Sequence, residues 1–144
     1  MSTHTVGLLI GGILPAVMFG FSNVFLKAGT QQGVSTSVAI FMIGGAVMVT
    51  GVILFFVLPG REFHGAGFSF LMGLCWSVGV ACATVALQRF QIPLSSLVPL
   101  FNLNTLISVL LALWIFAEWK QVQVPQLLFG ALLIVAGGVM VARA

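Results

Sequence analysis

Val38-AIFMIGGAVMVTGVILFFV-Leu58 contains no charged residue, and its only hydroxyl is Thr50. No polar face alternates with an apolar one, so the run reads as a helix with apolar surroundings on every side. A helix rises about 1.5 Å per residue, and about 20 apolar residues cross a hydrocarbon core of roughly 30 Å. Working outward, runs of the same kind occupy Thr5–Leu26, Phe68–Leu87, Leu94–Phe116 and about Val124–Val141. The links near Lys27–Ser37, Pro59–Gly67, Gln88–Pro93 and Ala117–Gln123 are short, which predicts antiparallel neighbours. The expectation is an all-α membrane protein, five transmembrane helices in one domain over residues 1–144. Transmembrane β-strands would be about 10 residues of alternating polarity, a pattern these runs lack. The first run is long for a signal-peptide core, lacks a basic flank and shows no small-residue cleavage pattern, so it is expected to be retained as a span.

Composition agrees. Hydrophobic residues are 60% of the chain, charged residues 5%, and the mean hydropathy is +1.24. Soluble domains carry roughly 25% charged residues. The net charge of +3 reads as lysine and arginine flanking membrane spans, not as a nucleic-acid footprint. Cys75 and Cys82 lie two helical turns apart, about 10 Å along one helix, beyond the roughly 7 Å that a disulfide bridges. His4 and His64 fall in the tail and a loop. No metal-ligand cluster, nucleotide loop or hydrolytic triad stands out. The reading is a protein that is not an enzyme and takes no metal and no cofactor.

An odd number of spans puts the termini on opposite sides of the bilayer. Arg61 and Lys120 then lie on one side, and Lys27, Arg89 and Arg143 on the other. Basic residues concentrate in cytoplasmic loops, and two against three hardly chooses a side. Dual topology, with copies inserted both ways, is the sharper reading; a weakly biased chain with its C-terminus inside is the plainer one.

Polar residues inside spans are costly unless they face protein or water, so they mark candidate sites. Helix spacing places Gly12, Ala16, Phe19, Asn23 and Lys27 on one face of the first span. Gly73, Ser77, Val80, Thr84 and Gln88 form a similar stripe on the third, with Trp76 beside it. The fourth carries Ser95, Pro99 and Asn102 on one face, with Asn104 and Ser108 nearly opposite. The candidate substrate pathway is therefore Asn23, Lys27, Trp76, Ser77, Thr84, Gln88, Ser95 and Asn102. The alternatives are plain: amides and hydroxyls often only join helices, at about 0.6 kcal/mol per bond, and Lys27 has the length to snorkel to the interface. Trp114 and Trp119 suit an interfacial aromatic belt.

Pro15 cannot donate to the Gly11 carbonyl and predicts a kink in the first span, as Pro99 does early in the fourth. Interrupted helices often surround transport sites, though static kinks also improve packing. Pro93 suits a helix start. Small residues permit close helix contact in lipid. Gly7 with Gly11 and Gly79 with Ala83 qualify. In the last span Gly130 and Gly137 return to one face after two turns, a candidate seam to a second protomer.

Several of these motifs, in order, resemble the EamA-type repeat of the drug/metabolite transporter superfamily. In that repeat a serine-rich start, a proline one turn inside, a long apolar helix, a "gE" or "aE" end and a last helix G-x-x-L-I-x-x-G follow one another. Here they are Ser95-Ser96-Leu97-Val98-Pro99, Phe116-Ala117-Glu118 and Gly130-ALLIVA-Gly137. Phe19-Gly20-Phe21-Ser22-Asn23 with Lys27 resembles the repeat's first helix. The resemblance covers nearly the whole chain. It implies half of a ten-helix transporter, in which two inverted repeats enclose a midplane site. The implied partners are the lipid bilayer, a second antiparallel copy or a sister repeat, and a small-molecule substrate; the implied location is a prokaryotic inner (plasma) membrane. The related small multidrug resistance proteins carry a membrane-embedded glutamate in their first helix. Here the acids are Glu62, in a loop, and Glu118, at a helix end, where an interfacial or packing role is expected, with Lys120 a candidate partner. The largely uncharged stripes favour a neutral or zwitterionic metabolite moved by alternating access. A subunit of a lipid-linked substrate flippase and a non-transporting scaffold are the alternatives.

Overall fold

The computed structural model describes residues 3–101, 103–120 and 122–143. Regular structure among them is helical throughout. Five stretches are long and apolar enough to cross a membrane: Thr5–Gln31, Thr36–Val57, Ala66–Arg89, Leu94–Ile115 and Val124–Ala142. The chain forms two compact units, Met1–Gln91 and Ile92–Ala144.

In the first unit, α1 (Thr3–Leu8) passes through a π-helical turn (Leu9–Ile13) into α2 (Leu14–Gln31). The turn is the local answer to Pro15. Proline offers no N–H and its ring crowds the preceding turn. The helix widens just ahead of it, and the Leu14 N–H reaches back five residues to the Leu9 carbonyl. A π-bulge of this kind absorbs the break without ending the span.

The helix continues to Gln31, past the expected boundary at Leu26, because nothing before Gly33 stops it. Gly33 takes φ +86°, a conformation that costs glycine little. Its N–H bonds the Thr30 carbonyl at 3.1 Å, and the Val34 N–H bonds the Gly29 carbonyl at 3.2 Å. Together these close a Schellman motif. Lys27 consequently lies inside the helix rather than in a loop.

Ser35 then caps α3 (Thr36–Val57), its extended backbone letting Oγ accept the Val38 N–H at 3.4 Å. The helix ends where Pro59 forces Leu58 into an extended conformation, φ −90° and ψ 143°. Just beyond, the Arg61 guanidinium lies over the Phe55 ring at 5.0 Å and 6.0 Å from that of Phe56. Gly65, at φ +81°, turns the chain into α4 (Ala66–Arg89). Gln88 and Arg89 thus belong to the helix, not to the link.

Both α2 and α3 pack against α4. Among the described residues of this unit, the buried ones are Ala39 on α3 and Ala83, Thr84 and Leu87 on α4. The remainder of α3, from Gly44 onward, is exposed all round. Apolar side chains left outside gain nothing from being covered when the solvent is itself hydrocarbon.

The second unit holds α5 (Leu94–Phe101), α6 (Leu103–Ile115), a 3₁₀ turn (Glu118–Lys120) and α7 (Val124–Ala142). The Pro93 carbonyl accepts the Ser96 and Leu97 N–H groups, both at 3.1 Å, which places this proline at the helix start as expected. Pro99 lies within α5. Helix α7 packs on both α5 and α6, burying Leu97, Leu113, Ala131 and Gly138. A Cβ built on Gly138 would lie 2.7 Å from the Pro99 carbonyl oxygen. Only glycine lets α7 come this close to the proline turn.

Candidate functional site

Polar groups of the first unit gather where α2 gives way to α3 and α4 ends. Gln88, in the last turn of α4, is used at both ends of its amide. Its Oε1 accepts the Thr36 hydroxyl at 2.8 Å, and its Nε2 donates to the Val34 carbonyl. One side chain thereby ties the turn after α2 and the start of α3 to α4. Its backbone carbonyl accepts from the Gln91 side chain.

One turn before it, Thr84 is wholly enclosed, and its hydroxyl donates to the Val80 carbonyl at 2.8 Å. Ser77 is half-buried and donates to the Leu74 carbonyl at 2.9 Å. The stripe read from the sequence is therefore graded along α4: Gly73 exposed, Ser77 and Val80 half-buried, Thr84 sealed, Gln88 half-buried and fully engaged. Trp76, beside the stripe, is exposed.

Along the first span, Asn23 and Lys27 on α2 are half-buried, while Ala16 and Phe19 on α2 and Gly12 in the π-helical turn are exposed. The Lys27 carbonyl accepts the Thr30 hydroxyl at 2.7 Å. Neither the Asn23 amide nor the Lys27 ammonium makes a side-chain hydrogen bond to a described residue.

Between α3 and α4 lies an open depression of about 830 Å³. Its rim is polar: Ser35, Thr36, Ser37, Gln88 and Arg89. The rest of its lining is apolar: Ile40, Phe41 and Ala81. The Ser35 and Ser37 hydroxyls are 3.2 Å apart. No ion pair engages Arg89 among the described residues. In the sequence, Ser35, Thr36, Ser37 and Arg89 read as link residues. The available signal was a Ser-Thr-Ser cluster immediately before an apolar run, a helix-start signature.

In the second unit Ser95 is exposed and Pro99 half-buried. Asn102, expected beside them, lies outside the described residues. Asn104 and Ser108 are exposed, and the Asn104 Oδ1 accepts the Thr105 hydroxyl at 3.3 Å. Glu118 is half-buried in the 3₁₀ turn and makes no ion pair with Lys120. A Cβ built on either candidate seam residue, Gly130 or Gly137, would meet nothing within 4 Å. The glycine that this unit uses internally is their neighbour Gly138. Cys75 and Cys82 are free and exposed.

The first unit thus offers a rigid polar joint, two half-buried polar side chains on α2 and an amphipathic depression. These are groups that bind by hydrogen bonding and charge. No family model, curated protein or solved structure matches the chain.

Proposed function

We propose that this chain is a membrane transporter of a small neutral or zwitterionic metabolite, working by alternating access as an antiparallel pair of five-helix repeats. The resemblance to the EamA-type repeat supplies the architecture and the prokaryotic inner membrane as its location. The observation that carries the proposal is Asn23. An amide within a membrane span, half-buried and with no side-chain bond to a described residue, needs water, substrate or a second chain as its partner. Lys27, one turn on, shares that surface. Gly130 and Gly137 leave one face of α7 open for the second copy.

The test is a thermal-shift screen of metabolites on purified protein, followed by uptake into proteoliposomes. Asn23→Ala is expected to lower uptake at least tenfold while leaving the melting temperature of the unliganded protein unchanged. Equal loss of stability and uptake would make Asn23 a packing residue and remove the support for this reading.

The depression between α3 and α4 favours a second reading, a subunit of a lipid-linked substrate flippase. Its apolar part and open side suit a lipid tail better than a free metabolite. Headgroup translocation of a fluorescent lipid-linked substrate in the same vesicles separates the two.

A further inference from the structure

We propose that the depression between α3 and α4 holds an anionic phospholipid, its phosphate at Arg89 and the Ser35–Ser37 hydroxyl pair, with one acyl chain along Ile40, Phe41 and Ala81. The site binds lipid whether or not that lipid is also carried across the membrane.

Position comes first. Ser35 caps α3 and Arg89 is the last residue of α4, so the polar rim lies at the ends of two spanning helices, the level of lipid headgroups. Moving inward, Phe41 stands six residues along α3 and Ala81 eight residues along α4, about 9 and 12 Å deeper. Polarity therefore changes along the groove as it does along a lipid molecule. Phe41 is 79% exposed and free to cover a chain.

Charge comes second. The Arg89 guanidinium offers donors that match a phosphate bidentately, and no acidic side chain among the described residues occupies them. The serine pair at 3.2 Å shares one proton between its two oxygens, leaving the other hydroxyl proton for a ligand oxygen.

Rigidity comes third. Thr36 and Gln88 are bonded to each other at 2.8 Å, and Gln88 also to Val34. They are positioning residues: they fix the two walls and leave the serines and Arg89 to the ligand. A preformed site loses less to ordering when it binds. The volume, about 830 Å³, takes a headgroup and the first part of a chain.

Native mass spectrometry of the full chain in detergent, with phosphatidylglycerol or phosphatidylcholine added, tests the proposal. Wild type is expected to retain phosphatidylglycerol about tenfold more than phosphatidylcholine. Arg89→Gln should abolish that preference and Arg89→Lys should keep most of it, with melting in lipid-free detergent unchanged for both. Phe41→Ala should weaken both lipids, and soluble glycerol 3-phosphate should fail to displace phosphatidylglycerol. An undiminished preference in Arg89→Gln overturns the proposal. So does equal loss in Lys27→Gln, which would mean diffuse attraction rather than a site. Displacement by glycerol 3-phosphate or inorganic phosphate at millimolar concentration would make the site one for a free phosphate and overturn the lipid assignment.

Discussion

The two units are joined internally by opposite means. In the first, a side-chain amide reaches across: Gln88 holds Val34 and Thr36, and the helices around it bury only a few residues, Ala39, Ala83, Thr84 and Leu87 among those described. In the second, no side chain among the described residues makes such a bond between helices. The backbone of α7 comes directly onto the Pro99 carbonyl because position 138 carries no Cβ. Both devices suit a solvent that gives apolar surfaces no reason to associate. One supplies a polar bond that lipid cannot replace; the other gains close packing by removing atoms. They should fail differently when disturbed.

The steric joint should be the more sensitive. Gly138→Ala forces a Cβ to 2.7 Å from a backbone oxygen, which no rotamer relieves. Overpacking of this kind costs about 1–3 kcal/mol. Thermal unfolding in detergent should show that loss, while Gly137→Ala, one residue away and open, should leave the melting temperature of the isolated chain unchanged. Equal effects at the two positions would break the contrast.

The polar joint should be softer. Gln88→Leu removes two hydrogen bonds but leaves the Val34 carbonyl and Thr36 hydroxyl near the membrane boundary, where water can reach them. The expected loss is about 1 kcal/mol. Amide exchange should rise over residues 29–37 and stay unchanged beyond residue 92. A change in the second unit would show that the two joints are not independent.

A third contact sharpens the scale from below. Arg61 over Phe55 and Phe56 is an exposed cation–π contact, worth about 0.5–1 kcal/mol. Arg61→Gln should therefore cost less than Gln88→Leu in the same unfolding measurement.

The five spans were legible in the sequence because lipid asks mainly for composition and length, and both are written in the apolar runs. Their ends were less so. Helix α2 overran Leu26 because Thr30 and Gln31 are polar but tolerated in a helix; the stop is Gly33, through its left-handed backbone. The choice of face was not legible. In α7 almost every position is apolar, so no polar stripe tells Gly137 from Gly138, although about 100° of helix rotation separates adjacent residues. Gln88 fell on the expected stripe, yet the chemistry that suits an amide to a pathway also suits it to a joint. Only its partners distinguish the two. The serine cluster at Ser35–Ser37 lay in what reads as a link, where side chains are expected to be solvated.

Antiparallel pairing through α7 is the centre of the account, and cysteine cross-linking tests it most directly. Residues 130 and 137 lie three and four residues to either side of the middle of α7 (Val124–Ala142). A two-fold axis in the membrane plane would bring residue 130 of one copy against residue 137 of the other. With Cys75 and Cys82 replaced by serine, Gly130→Cys co-expressed with Gly137→Cys should form a disulfide-linked dimer in membranes, while either variant alone should not. Self-linking of Gly137→Cys as strong as the mixed pair would show parallel packing and contradict the account.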